Sequence, residues 1–135
     1  MKTTPQQTGF ALLRIAMGVS FLGHGLVRFS KLGGFKDWVV STFQESILPT
    51  FVVSTWGSVL PFLEFAIGLL LIFGLFTYRA SIAGAIVIII LITGSCLIEK
   101  WDWAGMQMIY ALFFYYIITN IDKNKISIDT LIHKK

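Results

Sequence analysis

The chain has 135 residues, 56% of them hydrophobic and 13% charged, with a formal net charge of +4. That is far from the soluble average, and a core of this size could not bury so much apolar surface. An ordinary soluble domain is excluded, and the single cysteine, Cys96, excludes an internal disulfide, a CxxC redox pair and a four-thiolate metal site.

The first apolar run covers about Phe10–Phe29 and is interrupted by Arg14 and His24. Only Lys2 precedes it as a basic residue and no small-x-small cleavage site follows, so it reads as a retained span rather than a signal peptide. A long loop, Ser30–Thr55, comes next. Within it Phe35, Trp38, Val39, Thr42, Phe43 and Ile47 recur at helical spacing among polar residues, after a break at Gly33-Gly34 and before Pro49. This pattern predicts a short amphipathic helix, either a surface anchor or a lid over a buried site.

Three further runs follow, about Trp56–Phe76, Ala80–Ile98 and Trp103–Ile121. Each of the four reaches the roughly 20 residues that a helix needs to cross about 30 Å of hydrocarbon. The predicted fold is therefore all-α: an integral membrane four-helix transmembrane bundle, one domain over 1–135, in contact with the lipid bilayer. The polar tail, 122–135, is expected at the cytoplasmic surface.

With four spans the termini share a side with the Thr77–Arg79 turn. That side carries Lys2, Arg79, Lys123, Lys125, Lys134 and Lys135, six cations against the four of the other side, Arg28, Lys31, Lys36 and Lys100. The positive-inside rule then places both termini in the cytoplasm. Trp38, Trp56, Trp101 and Trp103 all fall on the opposite, outer side, where indole rings favour the headgroup zone.

An ionisable group inside a span costs about 3 kcal/mol or more unless it is paired or hydrated. With Arg14 at zero on a helical wheel of about 100° per residue, Gly18 falls near +40°, Phe21 near −20°, His24 near −80°, Gly25 near +20° and Arg28 near −40°. On the second span, Gly57, Pro61 and Gly68 lie within about 60° of Glu64 by the same geometry. Small residues let helices approach closely in lipid, so these two stripes predict that the first and second spans pack face to face.

Depth selects the partners. His24 lies roughly 8 Å and Glu64 roughly 12 Å below the outer surface at about 1.5 Å per residue. A His24–Glu64 pair is therefore expected, with Arg28 above it at the rim. Arg14 lies near the inner boundary, free to snorkel inward or to bind carbonyls at a helix end. The buried cluster reads either as a register lock, with Glu64 paired to His24 or to Arg28, or as a site that binds a quinone-like head group or relays protons, because histidine titrates near neutral pH. A contact to another subunit is a third use for Glu64. His24 and His133 lie far apart, against bis-histidine haem ligation within one copy. Nothing in the pattern points to a metal centre or to nucleic acid. Thr93, Ser95, Gln107, Tyr110, Tyr115, Tyr116, Thr119 and Asn120 on the last two spans read as interhelical glue, and Cys96 as a small buried apolar residue.

Two stretches resemble a known family. LLRIAMGVSFLGHGLVRFSKLGGF, Leu12–Phe35, is similar to the first span and following turn of the DoxX family. PFLEFAIGLLLIFGLFTYRAS, Pro61–Ser81, is similar to its second span, with an embedded Glu and a terminal Gly-Leu-x-Thr-x-Arg. The resemblance implies a four-helix bundle in the bacterial cytoplasmic (inner) membrane, with polar residues at Arg14, His24 and Glu64. Members similar to the small subunit of thiosulfate:quinone oxidoreductase are linked to electron transfer into the quinone pool, and others are partners in redox assemblies. The expected function is thus an accessory subunit of a quinone-linked or other redox membrane complex, with quinone as the candidate ligand and other membrane or redox subunits as partners. The alternatives are a non-catalytic scaffold subunit or, as a homo-oligomer, a small transporter subunit.

Overall fold

The computed structural model describes residues 3–132. Lys2, His133, Lys134 and Lys135, which enter the reading of the charge balance and of haem ligation, lie outside the described residues. Every regular element among the described residues is helical: α1 (Pro5–Phe29), α2 (Leu32–Thr42), α3 (Thr50–Phe73), α4 (Thr77–Leu97), α5 (Trp101–Thr119), a 3-10 turn (Ile121–Lys123) and α6 (Ile128–Ile132).

The helix ends follow local chemistry. Thr4 opens α1 with a capping box, its hydroxyl accepting from the Gln7 N–H while the Gln7 side chain accepts from the Thr4 N–H, and Pro5 occupies the first turn. Gly74 closes α3 at φ 65°, where the Leu75 N–H reaches Leu70 O at 2.9 Å and the Gly74 N–H reaches Leu71 O at 3.3 Å. This is a Schellman closure, and it needs a residue at ease in the left-handed region.

α1 lies mainly against α3, α4 mainly against α5, and α3 and α1 also touch α4 and α5 respectively, which closes a four-helix ring. The register of α1 on α3 is antiparallel: Arg14 meets Leu71, Gly18 meets Gly68 and Gly25 meets Pro61. The approach is close. A Cβ at Gly25 would stand 2.7 Å from both Phe65 N and Pro61 O, and one at Gly68 would collide with the Leu22 backbone. The two stripes seen in the sequence therefore do face each other, with one exception. Gly57 packs instead beneath Val39 and Lys36 of α2. Phe10, Leu71, Phe114 and Ile117 are fully buried, and Phe21 meets Phe114 edge-on at 5.4 Å.

Among the described residues, three helices are long and apolar enough to cross a membrane: α1, α3 and α4. α5, the expected fourth span, is a 19-residue helix that is not among them. Its sequence gives the reason, for Asp102, Gln107 and three tyrosines dilute its apolar residues. Gly33 and Gly34 do not break the chain ahead of α2; they lie in its first turn, and α2 ends at Thr42 rather than running to Ile47. α2 packs chiefly on α3, with Phe35 and Val39 buried. The antiparallel order puts Trp38, Trp56, Trp101 and Trp103 at one end of the bundle, the Trp end. The other is the tail end.

Candidate functional site

At the tail end, Arg14 is 2% exposed. One guanidinium nitrogen donates to Leu71 O at 2.9 Å and to Ile72 O at 3.5 Å, and the other donates to Ile126 O at 2.8 Å. The first two are carbonyls of the last turn of α3, of which Leu71 O also accepts from the Gly74 N–H, and a cation there suits the helix dipole. Of the two uses expected for Arg14, carbonyl binding is the one observed.

The tail folds back to complete this arrangement. The Asp129 carboxylate accepts from the Phe76 N–H at 2.7 Å and the Thr77 N–H at 2.8 Å, at the start of α4. The Asp129 N–H donates to Gly74 O at 2.9 Å, and Asn124 donates to the Thr77 hydroxyl at 2.9 Å. Phe76 has φ 49°, a conformation costly for a side chain with a Cβ, and Asp129 holds it there. Nothing in the sequence marked Asp129 or Asn124.

The Trp end is built differently. Glu64 is 5% exposed and pairs with Arg28, whose guanidinium also stacks on the Phe35 ring of α2 at 4.3 Å. The expected His24–Glu64 pair is not formed. His24 sits about 40° further round α1 than Arg28, on its exposed side, whereas the long arginine side chain reaches down a turn to the level of Glu64. His24 Nδ1 instead lies 2.7 Å from Ser20 O. A carbonyl only accepts, so Nδ1 carries the proton and Nε2 is left to accept or bind a second one.

Ser20, His24 and Arg28 follow one another at four-residue steps and form a polar ladder along α1. The Ser20 hydroxyl and the Tyr110 hydroxyl of α5 are 2.8 Å apart, and the Ser95 hydroxyl donates to Gln107 Oε1 at 3.0 Å. All of these groups, with Glu64, line one cavity of about 750 Å³, closed by Phe35, Trp38 and Trp103. The Trp38 and Trp103 rings lie 6.0 Å apart and bring α2 to α5. Such a volume, apolar for the most part with a few converging polar groups, matches sites that hold small organic molecules.

The structure thus brings His24, Arg28 and Glu64 to one cavity and leaves Arg14 at the far end. Ser20 escaped the sequence reading, although its spacing from His24 was a usable signal. Gln107 and Tyr110 read as glue and turn out to line the cavity. Cys96, expected to be buried, is exposed.

Apolar helices long enough to span, around a mostly apolar cavity with a few polar groups, define a helical membrane protein. Within that class the DoxX family profile matches residues 9–96, and the chain belongs to the DoxX family. No curated protein and no solved structure matches it. The matched segment contains Arg14, His24, Arg28 and Glu64, while Gln107, Tyr110 and the docked tail lie beyond it.

Proposed function

We propose that the chain is a single four-span subunit of the bacterial inner membrane, both termini cytoplasmic, that binds a quinone head group at the Trp end and serves a redox complex. Another subunit carries the redox centre. The observation that carries this reading is the cavity of about 750 Å³ bordered by the Arg28–Glu64 pair, His24 and Tyr110. Arg28 and Tyr110 supply donors for quinone carbonyl oxygens. His24 Nε2 supplies an acceptor for the O–H of the reduced quinol. Glu64 keeps the guanidinium in place. α5 serves as the fourth span, its polar residues turned to the cavity and to neighbours.

The test is binding to the purified wild type in mild detergent, read by quenching of tryptophan fluorescence with decylubiquinone and phylloquinone. Binding of either is expected, and Glu64→Gln should weaken it by about tenfold, the loss of one charge-assisted contact network worth about 1.4 kcal/mol. Absence of binding for both quinones overturns the reading.

A scaffold role has one observation in its favour. Met108, Leu112, Tyr115 and Tyr116 share one exposed face of α5, on which the two tyrosines offer hydrogen-bonding groups to a neighbouring helix. That reading predicts that Glu64→Gln lowers the yield of the assembled complex and leaves its electron transfer per complex unchanged.

A further inference from the structure

A second recess, an open groove of about 730 Å³, runs down the flank of α1 from Lys31 to Val19 under Gly34 and Trp38 of α2. Ser20, His24, Arg28, Phe35 and Trp38 line both this groove and the cavity described above. The groove and the cavity therefore adjoin across these side chains. Val19 and Val27 are more than half exposed, on a helix apolar and long enough to span. Their exposed flank therefore faces hydrocarbon rather than water. The groove descends roughly 18 Å along the helix at about 1.5 Å per residue.

We propose that this groove holds the apolar tail of the quinone whose head group occupies the cavity, and that the molecule enters sideways from the bilayer past His24. The inference rests on the quinone reading and adds the path and the tail site to it. Two glycines, Gly23 and Gly34, line the groove. A Cβ at Gly23 or at Gly34 would meet no atom within 4 Å, unlike those at Gly18, Gly25 and Gly68, which would strike the neighbouring helix. Gly23 and Gly34 are thus not there for helix packing, and the space beside them is open. A tail of linked isoprene units fits such a slot, apolar at Val19, Gly23 and Val27. The head group then lies at the level of His24 and Arg28, where the hydrogen-bonding groups converge.

The experiment fills the slot without touching the polar groups. In Gly23→Leu/Gly34→Leu, decylubiquinone and phylloquinone should bind at least about tenfold more weakly than to wild type, whereas the tail-less ubiquinone head group and menadione should change by less than about twofold. Equal affinity of the variant and wild type for tailed quinones overturns the groove. Equal losses for tailed and tail-less quinones overturn it as well, since the head site itself would then be disturbed. Failure of the wild type to bind any of the four sinks the quinone reading, and this inference with it. A measurement on the unaltered chain guards against misfolding of the variant: a quinone with a diazirine on its tail should label Val19, Gly23 and Val27. Labelling spread instead over Ile86 and Ile89, on the exposed face of α4, also overturns the proposal.

Discussion

The tail end and the Trp end each set an arginine of α1 against α3, fourteen residues apart along the same helix, yet they leave those charges in different circumstances. Arg14 is held by carbonyls at a helix terminus and enclosed by a folded-back tail, and its hydrogen-bond partners are backbone groups. Arg28 has a side-chain partner, an aromatic support and a cavity alongside. The contrast teaches that a buried charge in a span does not by itself mark a site. What distinguishes the two ends is whether the polar groups are consumed by the backbone or border unfilled space.

The largest effect should come at the tail end. Arg14→Met keeps much of the side-chain volume but removes the donors to Leu71 O, Ile72 O and Ile126 O. Charge-assisted hydrogen bonds contribute about 1.5–3 kcal/mol each, and the carbonyls left behind are not easily hydrated, so a loss of about 3 kcal/mol is expected. Reversible unfolding of the detergent-solubilised protein measures it. A loss below about 1 kcal/mol would erase the difference between the ends. Asp129→Ala should follow with about 1–2 kcal/mol, the usual worth of a side chain capping a helix start. Amide exchange reads it locally: the Phe76 and Thr77 N–H groups should exchange faster in the variant, while those in the middle of α3 stay protected.

How much of this was legible beforehand follows from which forces act over short stretches of chain. Three of the four expected spans were legible because apolar length is a property of one segment, and so was the face-to-face packing of α1 on α3, because Gly18, Gly25 and Gly68 declare a face by spacing alone. Arg14 on the carbonyls was one of two uses that its depth allowed. Pairing was harder. Preferring His24 over Arg28 for Glu64 gave depth more weight than the angle around the helix and the reach of the side chain, and the longer side chain won. The clamp by Asp129 was invisible, since it joins residues more than 50 positions apart and a lone aspartate in a polar tail looks solvated. Gly33-Gly34 misled because glycine weakens a helix only by about 1 kcal/mol per residue, which packing of Phe35 and Val39 on α3 can outweigh.

The smallest change in stability should come from Glu64→Gln, although it removes a buried charge. Breaking a buried ion pair usually costs about 3–5 kcal/mol, because the surviving ion is stranded in a medium that cannot solvate it. Arg28 is not stranded in that way. Its side chain is 21% exposed against 7% for Glu64, it rests on the Phe35 ring, and its long stem can lift the guanidinium toward the rim. The glutamine oxygen can still accept one of its N–H groups. A loss of about 1 kcal/mol or less is therefore expected, measured by the same unfolding as Arg14→Met. The two values together test the comparison: if Glu64→Gln costs as much as Arg14→Met, the Trp end is a lock like the tail end, and the cavity beside it is incidental. If it costs about a third as much while quinone affinity falls about tenfold, the charge at Glu64 serves what enters the cavity more than it serves the fold.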